Sequence, residues 1–159
     1  MRLNKNKSFF ESAKNALCGF YDAFLLERNI KIDTGAVLFV IFLGYEYGVT
    51  RVEGALLAFA MAFVLMSELF NTAVEKGLDA ITTDYNKNIK LSKDICAAAV
   101  SVAALCAVAC AIFVFSDTIR LAQLYQKITS MPQKLIKFGI IIIFEAFAVF
   151  RKDKTENGK

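Results

Sequence analysis

The sequence predicts an all-α integral membrane protein, and its composition and charge distribution are the observations that predict it. Of the 159 residues, 57% are hydrophobic, and the mean hydropathy is +0.48. The apolar residues gather in long blocks, and the charged residues gather between them. A soluble domain of this size does not need such segregation, whereas each crossing of a bilayer requires about 20 predominantly apolar residues.

The first predicted element is an amphipathic helix over residues 8–26. At about 100° per residue, Phe9, Phe20 and Phe24 fall within one arc of this helix. Glu11 lies on the opposite side. We therefore expect the helix to lie on the membrane surface with its phenylalanine rings at the acyl boundary.

Three apolar blocks that follow are predicted membrane spans, at about residues 30–49, 54–74 and 95–115. The third is the clearest, because its 21 consecutive uncharged residues cover ~30 Å as a helix, one hydrocarbon thickness. A fourth block, residues 135–150, is shorter and contains two charged residues, so it is a candidate fourth span. Residues 116–134 are expected to form an interfacial helix if that block crosses.

The positions of the basic residues predict the orientation of these spans. Residues 1–33 carry six basic residues and residues 76–94 carry four, whereas residues 45–53 carry one. Cytoplasmic loops are enriched in Lys and Arg, so the N-terminus and residues 76–94 are expected to face the cytoplasm. With four spans, residues 116–134 would place three basic residues outside, a partial exception to the rule.

Three carboxylates share one face of the helix predicted to begin at Gly54. If the helix is continuous, Glu68, Glu75 and Asp79 project within about 20° of Glu68, and Asn71 flanks them. A span that starts at Gly54 places Glu68 inside the hydrocarbon or at its edge, and Glu75 just beyond. A carboxylate at the bilayer centre costs about 2.5–3.5 kcal/mol on the insertion scale, so Glu68 is a functional candidate.

The spacing of these carboxylates separates their predicted roles. Glu68 and Glu75 are ~10 Å apart along the helix axis, too far to bind one ion together but suited to flank a polyphosphate. The deeper Glu68 is suited to take a proton from a lipid alcohol, and Glu75 to hold Mg²⁺ with nucleotide phosphates. For Asp79 a solvated helix end is an equally good interpretation, and Lys93 either snorkels to headgroups or reaches a phosphate.

Several other classes of function are disfavoured by composition. The chain contains no His, which excludes imidazole catalysis and His-ligated metals. Its net charge of +4 includes no dense basic run, so nucleic acid is not an expected partner. An ion-conducting protein would distribute charges through the bilayer, and a catalytically silent assembly module would have lost the carboxylate stripe.

A family resemblance rests on two motifs. The stretch Glu68-Leu-Phe-Asn-Thr-Ala-Val-Glu-Lys-Gly-Leu-Asp79, followed by Asp84-Tyr and Lys90-Leu-Ser-Lys-Asp94, resembles the signature of the prokaryotic diacylglycerol kinase and undecaprenol kinase family, which are small integral-membrane lipid kinases. Glu27-Arg-Asn-Ile-Lys-Ile32 resembles the stretch before that family's first membrane helix. The resemblance covers roughly residues 8–115. The loop Asp84-Tyr-Asn-Lys87 departs from it by lacking the family's His and Pro.

The resemblance implies a homotrimer in the bacterial inner membrane with active sites shared between subunits on the cytoplasmic side. It implies ATP-dependent phosphorylation of a lipid alcohol, with undecaprenol expected because the stretch from Glu27 to Ile32 resembles the Gram-positive type, and diacylglycerol as the alternative. Residues 1–115 would form the kinase domain and residues 116–159 an extension. The implied roles are Glu68 as general base, Glu27 and Glu75 as ligands of Mg²⁺ with ATP, and Asn71, Asp79, Lys93 and Asp94 as further nucleotide-site residues.

Overall fold

The computed structural model describes residues 8–82 and 84–131, together with positions 133, 136, 139, 140 and 143. Over these residues the protein is all helical and has no strand, as predicted. Of the candidate fourth span, residues 135–150, only positions 136, 139, 140 and 143 are described, and the rest lies outside the described residues. The five helices are α1 (Phe9–Leu26), α2 (Arg28–Tyr47), α3 (Arg51–Asp79), α4 (Lys87–Val114) and α5 (Thr118–Thr129).

Helices α3 and α4 are both long and apolar enough to cross a membrane. Few of their side chains are buried; Phe59, Leu105 and Phe113, for example, are 75%, 69% and 81% exposed. A soluble helix with so much exposed apolar surface would be an aggregation hazard, whereas lipid solvates it. Lys31 and Asp33 interrupt the apolar sequence of α2, so its crossing of the membrane stays a prediction.

A single residue separates the surface helix α1 from α2. Glu27 has the extended backbone conformation φ −105°, ψ 123°, and serves as the C-cap of α1 and the N-cap of α2. One extended residue is enough to redirect the chain between two helices. The corner also sets the position of the Glu27 side chain, beside the end of α3, where it pairs with Lys76.

A tight turn joins α2 to α3 and makes them antiparallel. Gly48 takes the left-handed conformation (φ 78°, ψ 49°), which favours glycine and ends α2. Thr50 and Glu53 then form a capping box: the Thr50 N–H donates to Glu53 Oε2 at 2.7 Å, and the Glu53 N–H donates to Thr50 Oγ1 at 3.3 Å. The turn brings the start of α2 beside the end of α3.

Helix α4 begins eight residues before the predicted span at Ile95. The Asn86 side chain caps it by accepting hydrogen bonds from the N–H groups of Asn88 and Ile89. Lys90, Lys93 and Asp94 therefore lie on the first turns of a helix and not in a loop. Helix α4 packs mainly on α3, α3 also packs on α2, and α2 contacts α1 and α5.

Candidate active site

The candidate site lies where three helix ends meet. Because α2, α3 and α4 alternate in direction, the start of α2, the end of α3 and the start of α4 share one end of the bundle. Each of these ends carries predicted site residues. The packing brings most of them together within one chain.

Glu68 is the most buried carboxyl of the site. It is 5% exposed and faces the start of α2, where the Asn29 side chain hydrogen-bonds to its carboxyl group. Asp33, Glu75 and Glu27 are all close enough to interact electrostatically with Glu68. A carboxyl that is buried among other acids and bound by a single side-chain amide is an expensive arrangement, typical of functional sites.

Asn71 lies one turn beyond Glu68 and presents an unused acceptor. Within the described part of the chain, its Oδ1 atom is buried and has no hydrogen-bond partner. Leaving a buried acceptor unsatisfied costs about 1–3 kcal/mol, so most such atoms in proteins are bound to something. The atom therefore favours the presence of a ligand on this face of α3.

Two ion pairs hold the outer part of the site together. Lys76 Nζ lies 3.1 Å from Glu27 Oε1, which connects the α1–α2 corner to α3. Lys93 Nζ lies 2.5 Å from Asp79 Oδ1, which connects α4 to α3. Lys93 also interacts electrostatically with Glu75. Two lysines and the acids that they join thus form a charged rim around the position of Glu75.

Asp94 is a predicted site residue that does not join this rim. Its carboxylate pairs with Lys90 Nζ at 2.8 Å on the exposed side of α4, and its side chain is 60% exposed. Lys90 and Asp94 are four residues apart, so they form an ordinary pair along one helix face. Within a single chain, Asp94 thus pairs with a neighbour on its own helix, whereas the rim lysines pair with Glu27 and Asp79.

The oxygen ligands at this end of the bundle fit a magnesium nucleotide better than a protein-only metal site. No three acidic or Cys side chains of the described residues are arranged to hold a metal ion. Mg²⁺ needs fewer than three protein ligands, because it is usually bound by one or two carboxylates together with substrate phosphates and water. Glu27 and Glu75 supply carboxylates and Asn71 an amide oxygen, all hard ligands of the type that this ion prefers.

An apolar cavity of about 240 Å³ lies between α2, α3 and α4, next to the buried carboxyl. Val64, one turn before Glu68, lines this cavity, and Asp33 contributes a charged group to its wall. The Asp33 Oδ2 atom is buried without a partner among the described residues. The cavity is therefore hydrophobic along its length and acidic at the point nearest to Glu68.

Sequence reasoning missed Asn29 and Asp33 as site residues. Asp33 was treated as an interruption of an apolar block, and Asn29 only as part of a motif. The two are four residues apart, so they share one face of α2, and this spacing is the signal that could have identified them. Their partner Glu68 lies on another helix, and no sequence pattern specifies that contact.

A buried carboxyl between an apolar cavity and a charged rim, in a protein with two helices suited to cross a membrane, is an arrangement typical of a membrane enzyme. A family comparison makes the class specific. The chain belongs to the prokaryotic diacylglycerol kinase family, whose model matches residues 14–115, and it is a lipid kinase. The resemblance predicted from the two sequence motifs is thereby confirmed.

Two lipid kinases are among the proteins similar to the chain. One is the undecaprenol kinase of Bacillus subtilis (strain 168), 29% identical over 102 residues that cover 64% of this chain and 83% of the relative. Another is the diacylglycerol kinase of Synechocystis sp. (strain ATCC 27184 / PCC 6803 / Kazusa), 34% identical over 98 residues that cover 61% of this chain and 56% of the relative. No solved structure matches the chain.

Proposed function

We propose that the protein transfers the γ-phosphoryl group of ATP to a membrane lipid alcohol, with Glu68 as the general base. The observation that carries the proposal is the burial of Glu68 between two unlike environments. One side is an apolar cavity suited to a lipid chain, and the other is a rim of acids and lysines suited to Mg²⁺ and phosphates. A lipid kinase must bring these two substrates to one atom.

The rim residues are proposed to bind the nucleotide. Glu27 and Glu75 would hold Mg²⁺ with the ATP phosphates, and the ion would neutralise charge on the transferred group. Lys76 forms an ion pair with Glu27 in the free protein. Binding of Mg²⁺ and nucleotide to Glu27 would break this pair and release Lys76 towards the phosphates. Asn71, Asp79, Lys93 and Asp94 are the proposed further residues of the nucleotide site.

The proposed reaction is an in-line displacement at the γ-phosphorus. The lipid hydroxyl oxygen forms a bond to phosphorus while its proton passes to the Glu68 carboxylate. The bond between the γ-phosphorus and the bridging oxygen breaks, and ADP leaves with that electron pair. Asn29 would orient the Glu68 carboxyl, and burial would keep water from competing with the alcohol.

Undecaprenol is the proposed acceptor, and diacylglycerol is the second candidate. The undecaprenol kinase of Bacillus subtilis aligns along 83% of its length, which supports the first choice. The diacylglycerol kinase of Synechocystis has the higher identity, 34%, which supports the second. Both lipids present a hydroxyl group at the membrane interface, so the same base and the same nucleotide site would serve either.

The proposed setting is a homotrimer of three-span subunits in the bacterial inner membrane, with the active sites on the cytoplasmic side. The site end of the bundle carries several lysines, including Lys76, Lys90 and Lys93. Such an excess of basic residues is typical of cytoplasmic ends and supports this orientation. The trimer itself rests on the family resemblance.

The test is a transfer assay on the full-length protein in lipid micelles, with radiolabelled ATP, Mg²⁺ and either undecaprenol or diacylglycerol. Glu68→Gln removes the base and keeps the shape of the side chain, so we expect the rate to fall by about 10²–10⁴, the usual contribution of a general base. The KM for ATP should change little, because the rim residues are untouched. Wild-type activity should be greater with undecaprenol.

Two further variants control this measurement. Ser67→Ala alters the neighbouring residue on the same helix, whose hydroxyl donates to the Val64 carbonyl, and should remain active. Glu68→Asp keeps a carboxylate on a side chain that is one methylene shorter, and it should retain partial activity. Equal rates in the wild type and Glu68→Gln would remove Glu68 from the mechanism. Absence of transfer to any lipid by a folded wild type would instead favour the silent assembly module.

A further inference from the structure

Helix α5 is a structural element beyond the family match, which ends at residue 115. It follows α4 after only three residues, and Asp117 caps it by accepting hydrogen bonds from the N–H groups of Ile119 and Arg120. The backbone N–H of Arg120 holds the pKa of Asp117 below its ordinary value, so the cap is ionised at neutral pH. The helix thus has a defined start at the end of the bundle opposite the candidate site.

Arg120 attaches the first turn of α5 to the α2–α3 turn. Its guanidinium donates to both carboxylate oxygens of Glu53, at 3.1 and 2.8 Å. It also lies 4.6 Å from the centroid of the Tyr47 ring, and that ring makes an edge contact with Phe115. A bidentate pair combined with cation–π contact fixes the orientation of a guanidinium group more strongly than one hydrogen bond would.

Lys127 attaches the last turn of α5 to the end of α2. Its Nζ atom lies 3.0 Å from Glu46 Oε2 and donates to the Glu46 backbone carbonyl at 3.1 Å. The Glu46 side chain is only 6% exposed, so its charge needs a compensating partner. Leu124, between the two attachments, is 7% exposed. The charged side of α5 is therefore turned inwards, against the protein.

A different side of α5 is apolar and open. At about 100° per residue, Leu121 and Tyr125 point away from the two basic residues, and they are 41% and 71% exposed. At this same end of the bundle, Val52 of α3 and Phe113 of α4 are 72% and 81% exposed. The open side of α5 thus lies at the level where the two helices that are suited to cross a membrane start and end.

We propose that α5 lies in the membrane interface at the end of the bundle opposite the candidate site, with lipid as its partner. Leu121 and Tyr125 would lie at the acyl boundary, and Gln123 and Gln126 would face water. Tyrosine is enriched at this depth because its ring is apolar and its hydroxyl is polar. The inward ion pairs leave no charge on the side that meets lipid, which favours lipid over a charged protein partner.

The test uses the full chain with its four cysteines replaced by alanine and one new cysteine at position 121, 123, 125 or 126, labelled with a fluorophore. Each sample is reconstituted in phosphatidylcholine vesicles. We expect labels on Leu121→Cys and Tyr125→Cys to be quenched several-fold more strongly by nitroxide on the lipid chains than by aqueous iodide. Labels on Gln123→Cys and Gln126→Cys should show the reverse.

Two outcomes would overturn the proposal. Strong iodide quenching at all four positions would place α5 in water, and shielding of 121 and 125 from both quenchers would indicate that protein covers them. Lipid-kinase activity of the same samples verifies the fold. Because the labels report position without any turnover, the result stays readable even if the proposed role of Glu68 fails.

Discussion

The chemistry attributed to Glu68 depends on the side chain that holds it. Asn29 is exposed, yet its amide hydrogen-bonds to a carboxyl that is 5% exposed. Three acids surround the same carboxyl, so few other groups are available to orient it. We therefore propose Asn29 as a positioning residue, which would act on the lipid hydroxyl only through Glu68.

We predict that Asn29→Ala lowers kcat by about 10–100-fold, because a hydrogen bond to a charged group contributes about 1.5–3 kcal/mol. The KM for ATP should change little, because the side chain of Asn29 hydrogen-bonds to Glu68. Asn29→Asp should be worse than Asn29→Ala, because it adds a like charge beside Glu68. Steady-state kinetics of the wild type and the two variants test this. A kcat of Asn29→Ala equal to that of the wild type would mean that Asn29 does not orient Glu68.

The acids of α3 could be predicted from sequence, whereas their partners could not. The shared helix face of Glu68 and Glu75 is predicted by the helical period, and their depth in the membrane by the distance along one apolar span. Both quantities are local in the sequence. Asn29, Asp33 and Lys76 take part because α2 folds back against α3, and this packing depends on the turn at Gly48. Contacts between helices have no sequence period, so the residue types alone do not predict which side chains meet.

At the scale of elements, the α2–α3 turn fixes how α2 packs along α3, and therefore which residues meet at either end of the bundle. The capping box at Thr50 starts α3 and also orients Glu53, which α5 uses as its anchor. The sequence does predict α1 to α3 as helices, because each has an apolar block or an amphipathic period. It misses the first two turns of α4, because Lys87–Asp94 is polar and only the cap at Asn86 indicates a helix.

We predict that Thr50→Ala destabilises the fold by about 1 kcal/mol, the usual cost of losing a capping hydroxyl. The melting temperature in detergent should fall, and transfer activity measured well below that temperature should remain near wild type. Thr50→Ser keeps the hydroxyl and should behave as the wild type. A melting temperature unaffected by Thr50→Ala would mean that packing alone determines where α3 begins.

A second element-scale prediction concerns Gly48. Its φ of 78° is strained for any residue with a Cβ, although nothing lies within 4 Å of the position where a Cβ would be. Gly48→Ala should therefore destabilise the turn by about 1 kcal/mol through backbone strain alone. Gly19→Ala, on an open face of α1, is the matched control and should not lower the melting temperature. Equal melting temperatures of the two variants would contradict the argument.

At the scale of the whole molecule, we propose that one chain does not complete the site. Asp94 pairs with Lys90 on its own helix, and the large apolar side chains of α3 and α4 are mostly exposed. A neighbouring subunit packed against these faces would bury part of this surface and could supply its own Asp94. This agrees with the shared sites that the family resemblance implies.

The last prediction tests this sharing by mixing two inactive variants. Glu68→Gln and Asp94→Asn subunits, coexpressed in equal amounts, should recover roughly one quarter of wild-type activity if trimers assemble at random and each site takes one residue from each of two neighbours. Glu68→Gln mixed with Glu75→Gln should recover nothing, because both residues lie on one helix and serve the same site. If the first mixture also stays inactive although mixed trimers can be isolated, Glu68 and Asp94 must act within one chain. Helix α4 would then have to rotate, breaking the pair between Lys90 and Asp94, to bring Asp94 to the nucleotide.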